Sequence, residues 1–166
     1  MYQVNDYIVY GNHGVCKILE IGTPDIVGID KSKLYYTLQP VYSKGRTIYT
    51  LIDNEKTIMR KILTKEEALN LIDDIPSIDL IKVANDKLQE AEYKTLIRKC
   101  DCRAWLKVIK TLYAKNQKKI SEGKKIGSTD LKFLHEAEEY LYGELSIPLN
   151  IPRENMEDYI TNRLSN

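Results

Sequence analysis

The sequence predicts an α+β protein, with a small N-terminal β-barrel over residues 1–60 followed by an all-α C-terminal helical bundle over residues 61–166. Three observations predict it. The first sixty residues are short β-branched and aromatic runs divided by Gly-, Pro- and Asn-containing turns. From residue 64 the apolar spacing changes to a helical period. The two patterns follow one another without alternating, which segregates strands from helices.

Four strands are expected, at residues 7–10, 14–21, 34–38 and 47–51. Gly11-Asn12-His13-Gly14, Gly22-Thr23-Pro24-Asp25 and Ser43-Lys44-Gly45 supply the turns. Strands this short would leave exposed edges in a flat sheet, so a closed barrel is the expected solution.

Thr64-Lys65-Glu66-Glu67 is a capping box, and its helix should stop before Pro76. Ser77 can cap a longer helix with Ile78, Ile81, Ala84, Leu88 and Ala91 on its inner face. Asp101 can cap a third, with Trp105, Val108, Ile109 and Leu112 as the buried stripe. Trp105 is therefore read as core rather than as a base-stacking residue. Gly123 and Gly127 break the chain, and Ser128-Thr129-Asp130 restarts it with Leu131, Leu134, Ala137, Leu141 and Leu145 inward. Pro148 should end that helix. Pro152 suits the first position of a last one, with Met156, Tyr159, Ile160 and Leu164 inward.

Composition narrows the function classes. An apolar fraction of 43% supports a real core and argues against disorder. No run of eighteen apolar residues spans a membrane, and residues 1–6 lack the pattern of a signal peptide. Cys16, Cys100 and Cys102 are expected to be reduced thiols in the cytoplasm, because Cys100 and Cys102 are too close for an ordinary bridge. Cys100-x-Cys102 lacks a second Cys/His pair at ligand spacing, so no metal and no cofactor is expected. His13 and His135 are isolated, and no nucleophile elbow, Walker loop or dinucleotide fingerprint is present. An enzyme is not expected. A cryptic one would need a pocket that joins His13 to the cysteines.

Charge is distributed very unevenly. The formal net charge is +1, yet residues 93–125 carry eleven Lys/Arg against Asp101 and Glu122. Such a cluster suits a polyanion whose binding releases counterions, the alternative being a solvated helix face with no partner. Taking Lys107 as zero at 100° per residue, Arg103 and Lys110 fall within about 60° of it and Lys118 within about 20°, opposite the stripe of Trp105. Lys115 and Lys119 widen this band, Lys124 and Lys125 extend it into the loop, and Arg98 and Lys99 precede it. Four phosphates neutralised by such side chains would give a slope of log K against log salt of about −3.6.

Several segments resemble the CarD family of bacterial transcription regulators. Val4-Asn5-Asp6-Tyr7-Ile8-Val9-Tyr10-Gly11-Asn12-His13-Gly14-Val15 resembles the family's "GD-x-V-V-Y" strand and its turn ending His-Gly-Val. Leu34-Tyr35-Tyr36-Thr37-Leu38 is similar to "YYVL", and Ile48 to Asn54 to "V-x-V-P-x-x-N". Cys100-Asp101 stands where "GD" opens a helix, Asn116-Gln117 where "R-D-Q" ends it, and Gly143-Glu144-Leu145-Ser146 matches "GELA/S".

The resemblance implies a Tudor-like barrel that docks by its sheet edge on the β subunit of bacterial RNA polymerase. Tyr36, Arg46, Ile48, Tyr49 and Leu51 are the residues it points to. Tyr49 stands where many members carry a basic residue. The resemblance further implies that the helical domain contacts promoter DNA at the upstream edge of the bubble and stabilises the open complex. Arg98, Lys99, Arg103, Lys107, Lys110, Lys118, Lys124 and Lys125 would carry that contact. The Trp that members place shortly before the "GD" helix has no counterpart near Asn85-Asp86. Charge rather than an aromatic wedge is then expected to supply the DNA affinity. The expected protein is a cytoplasmic, nucleoid-associated monomer with no membrane contact. The alternative is an adaptor whose barrel binds polymerase and whose basic face has no DNA role.

Overall fold

Period-two alternation builds the N-terminal sheet. In the computed structural model, which describes residues 1–166, strands form at β1 (Tyr7–Tyr10), β2 (Val15–Gly22), β3 (Tyr35–Pro40), β4 (Ile48–Leu51) and β5 (Met59–Lys61). In β3 the side chains of Tyr36, Leu38 and Pro40 point inward and their neighbours point outward. All pairings are antiparallel, in the order β4-β3-β2-β1-β5. The register slips once, between Ile18 and Glu20, leaving Leu19 exposed at a bulge.

The sheet is barrel-like, but β4 and β5 are not paired to each other. Both ends of the sheet pack on one core: Ile48 from β4 and Met59 from β5 lie against Ile8, Ile18, Tyr36 and Leu38. Tyr2 bridges the gap. Its N–H donates to the Tyr36 hydroxyl at 3.2 Å, and its own hydroxyl donates to the Met59 carbonyl at 3.0 Å. The sheet is thus barrel-like as expected, with its two end strands joined through the core and Tyr2 rather than by a ladder between them. β5 is a fifth strand beyond the four expected: Met59-Arg60-Lys61 has no strand pattern of its own and is defined by its register with β1.

Met1–Ile62 and Leu63–Asn166 are two compact units. The second contains α1 (Lys65–Asp73), α2 (Asp86–Arg98), α3 (Cys102–Ser121), α4 (Ser128–Leu149) and α5 (Met156–Ser165). The Thr64–Glu67 capping box is formed in both directions, and the Asp101 carboxylate accepts from the Ala104 N–H at 3.0 Å at the start of α3. Trp105, Val108 and Leu112 are buried with Tyr93, Leu141, Leu145 and Met156. Trp105 stacks on Tyr140 at 5.4 Å and donates its indole N–H to the Ile97 carbonyl. Glu144 of α4 is fully buried. It accepts from the Leu63 N–H at 3.0 Å and from the Cys102 thiol at 3.2 Å, so burial of this carboxylate is matched by donors.

Several helical expectations are corrected. Ser77 caps no helix: its hydroxyl donates to the Asp74 carbonyl within a 3-10 turn, Ile75–Ser77. α2 starts eight residues later than expected, capped by Asn85, whose side chain accepts from the Leu88 N–H. The intervening residues lie on α3 instead, where the Ile81 N–H donates to the Thr111 hydroxyl at 2.9 Å. Ala84, Leu88 and Ala91 consequently face solvent, and Tyr93, Leu96 and Ile97 form the buried side of α2. Leu131 and Leu164 are also exposed. α4 runs one residue past Pro148 and stops at Asn150, which adopts the left-handed conformation (φ 53°). Pro152 precedes a 3-10 turn, Arg153–Asn155, and α5 begins only at Met156.

Candidate functional site

The N-terminal unit offers an open strand. β4 pairs only with β3, so its outer backbone edge is unpaired. Of the docking residues expected there, Tyr49 is exposed on β4 and Arg46 is exposed just before it. Ile48 and Leu51 are half-buried, and Ile48 packs on the sheet core. Tyr36 is corrected to a core residue. It is 1% exposed and lies on β3, an interior strand, so its side chain cannot meet a partner.

The turn leading into β5 is built by Asn54, which accepts from the Lys56 and Thr57 N–H groups and donates to the Thr50 hydroxyl at 2.8 Å. Gly11 sits against this turn at φ +49°, and a Cβ there would lie 2.8 Å from the Thr57 methyl. Gly11 and Asn54 therefore shape one end of the sheet.

The helical unit rearranges the basic stripe. Residues 74–86 pass across the face of α3 that helical phase marks as the cationic band. Arg103 pairs with Asp74. Lys110 donates all three ammonium protons to the carbonyls of Ile75, Pro76 and Ile78, at 2.8, 3.1 and 2.7 Å. Lys115 pairs with Asp130 at 2.8 Å and approaches Asp86 at 3.6 Å. Burial works against the Lys115 ammonium, but the hydrogen bond and charge of Asp130, with Asp86, outweigh it and raise its pKa. Lys107 is half-buried.

The remaining cations fall into two groups. Lys118 and Lys125 are exposed, Lys119 is half-buried, and Lys124 is exposed beside Glu122 at 3.1 Å. Arg98 and Lys99 are exposed at the end of α2. Arg103 pairs with Asp74, Lys115 with Asp86 and Asp130, Lys124 with Glu122 and Arg163 with Asp73; Arg98, Lys99, Lys118 and Lys125 take part in none of these pairs. Two further cations are Lys87, outside the 93–125 cluster, and Lys94, within it. Both are exposed on α2, seven residues apart, a spacing masked by the assignment of Leu88 and Ala91 to the inner face.

Chemistry-bearing residues do not assemble. Cys16 is buried in the sheet, and burial pushes its thiol up to about 11. Cys100 and Cys102 are buried in the helical unit. No group of three His, Cys, Asp or Glu side chains could hold a metal ion, and no helix is long and apolar enough to cross a membrane.

Residues 2–63 match the family model described as the CarD-like/TRCF RID domain. No curated protein matches the chain.

Proposed function

From the match of residues 2–63 to the CarD-like/TRCF RID domain, we propose that this protein regulates transcription initiation by docking on bacterial RNA polymerase and holding upstream promoter DNA. The domain match carries the reading, and the open edge of β4 supports it. The β4 edge adds to the sheet of the polymerase β subunit through main-chain hydrogen bonds, a mode of recognition open to any unpaired strand. Tyr49 and Arg46 supply the side-chain contacts.

The helical unit contacts DNA phosphates at the upstream edge of the bubble and stabilises the open complex. Lys118, Lys124 and Lys125, with Arg98 and Lys99, are the accessible cations for that contact. Arg103 pairs with Asp74 and Lys110 holds the carbonyls of residues 75–78, so these two brace the segment before α2, and Lys107 is half-buried. The protein works as a cytoplasmic monomer without catalytic chemistry.

Two measurements test the reading. Binding to an isolated polymerase β fragment should weaken at least tenfold in Arg46→Glu/Tyr49→Glu. Unchanged binding would sink the edge-docking step. Binding to a forked promoter fragment should depend steeply on salt, and Lys118→Gln/Lys124→Gln/Lys125→Gln should lower the slope by about 2.7 if each lysine neutralises one phosphate. Polymerase binding with no salt-dependent DNA binding would favour the adaptor reading instead.

A further inference from the structure

We propose that the solvent face of α2 is a DNA phosphate track, with Lys87 and Lys94 as its central contacts. This rests on the DNA reading above and places the main contact on α2 rather than on α3. Taking Lys94 as zero at 100° per residue, Lys87, Ala91 and Arg98 lie within about 60° of it. All four are exposed, and the three cations make no ion pair. From Lys87 to Arg98 the helix rises about 16 Å, the axial length of roughly five phosphates on one strand.

The surroundings favour a polyanion. Asp86, the exposed acid of α2, is approached by Lys115; Glu92 lies on the far side, and half-buried Glu90 shares the face about 40° from Lys94, so three exposed cations face one acid there. Ala91, between the two lysines, contributes only a methyl group, so the helix can approach a phosphate backbone while longer side chains reach out on either side. The track continues at both ends. Lys99 follows Arg98, and the Asp86–Lys115 contact brings the start of α2 beside the part of α3 that leads to Lys118. Cations at the two ends of the track were legible in the sequence, and Lys87 and Lys94 join them into one line.

The test uses the full chain and a short promoter duplex ending in a single-stranded fork, followed by fluorescence anisotropy over a salt series. Lys87→Gln/Lys94→Gln should lower the slope of log K against log salt by about 1.8, with the helical circular dichroism unchanged. Lys87→Arg/Lys94→Arg should keep the slope. The inference is overturned if the wild-type chain binds steeply and the Gln pair leaves the slope intact, with losses confined to Lys118, Lys124 and Lys125 variants. If the wild-type chain shows no salt-dependent binding at all, the DNA reading itself fails and this inference falls with it.

Discussion

The Lys110 ammonium lies 2.7 Å from the Ile78 carbonyl oxygen, the shortest of three bonds by which one α3 side chain holds the segment before α2. A cation that helical phase assigns to a solvent stripe is thereby an internal strut. Lys110→Gln cannot reproduce three donations, and leaving part-buried carbonyls unmatched costs about 1–2 kcal/mol. Urea denaturation should show that loss, while the salt slope of DNA binding stays at the wild-type value. A fall in slope with full stability would reverse the assignment.

Lys115 and Asp130 form the more sheltered pair, with the carboxylate almost fully buried. Removing the cation alone strands a buried charge, so Lys115→Met should destabilise by about 2–3 kcal/mol. Lys115→Met/Asp130→Asn should recover much of that, because neither partner then carries an unmatched charge. A double-mutant cycle in urea reads the coupling; purely additive losses would contradict the pairing.

Gly11 combines a positive φ with a close neighbour, the Thr57 methyl. Gly11→Ala should lower the stability of the barrel-like unit by about 1–2 kcal/mol through the strained backbone and the contact. Thr57→Ser in the same chain removes the methyl and should restore part of the loss. Thermal melts of the two variants would check this. Equal melting temperatures for the single and double variants would show that the backbone term acts alone.

Glu138 has a pKa above its ordinary 4.5, chiefly because burial disfavours the carboxylate, with the charge of Glu157 adding to the shift. Hydrogen bonds from Tyr142 and Tyr113 and the charge of His135 oppose it. The folded chain therefore holds this proton more tightly than the unfolded chain. Its contribution is fully present below 4.5 and is lost as pH rises through the raised value. Glu138→Gln should have little effect on melting temperature near pH 4 and a growing stabilising effect above it. A stabilisation that shrinks with rising pH would contradict the sign.

Local signals were read well wherever the physics was local. The Thr64–Glu67 box, the Asp101 cap and the Trp105–Leu112 stripe each need only neighbours within a turn or two, and each formed. The strand at residues 34–38 is likewise legible, although Tyr36 is core rather than docking surface. β5 and the start of α2 were not legible. Their backbone partners lie far away in the chain: β1 for Met59–Lys61, and Thr111 and Lys110 for residues 75–81.

By itself the sequence determined the strand-then-helix order, the caps, the buried stripe of α3 and the crowding of cations between residues 93 and 125, because all of these follow from residue type and short spacing. Only the tertiary structure decided which cations remain accessible. The segment before α2 satisfies its carbonyls on Lys110 and an amide on Thr111, covering part of the α3 stripe. The same placement delays α2 and turns Lys87, Lys94 and Arg98 outward along one line. Buried backbone groups must find partners, and meeting that demand engages Lys110 while Lys118 on α3 and Lys87, Lys94 and Arg98 on α2 stay exposed.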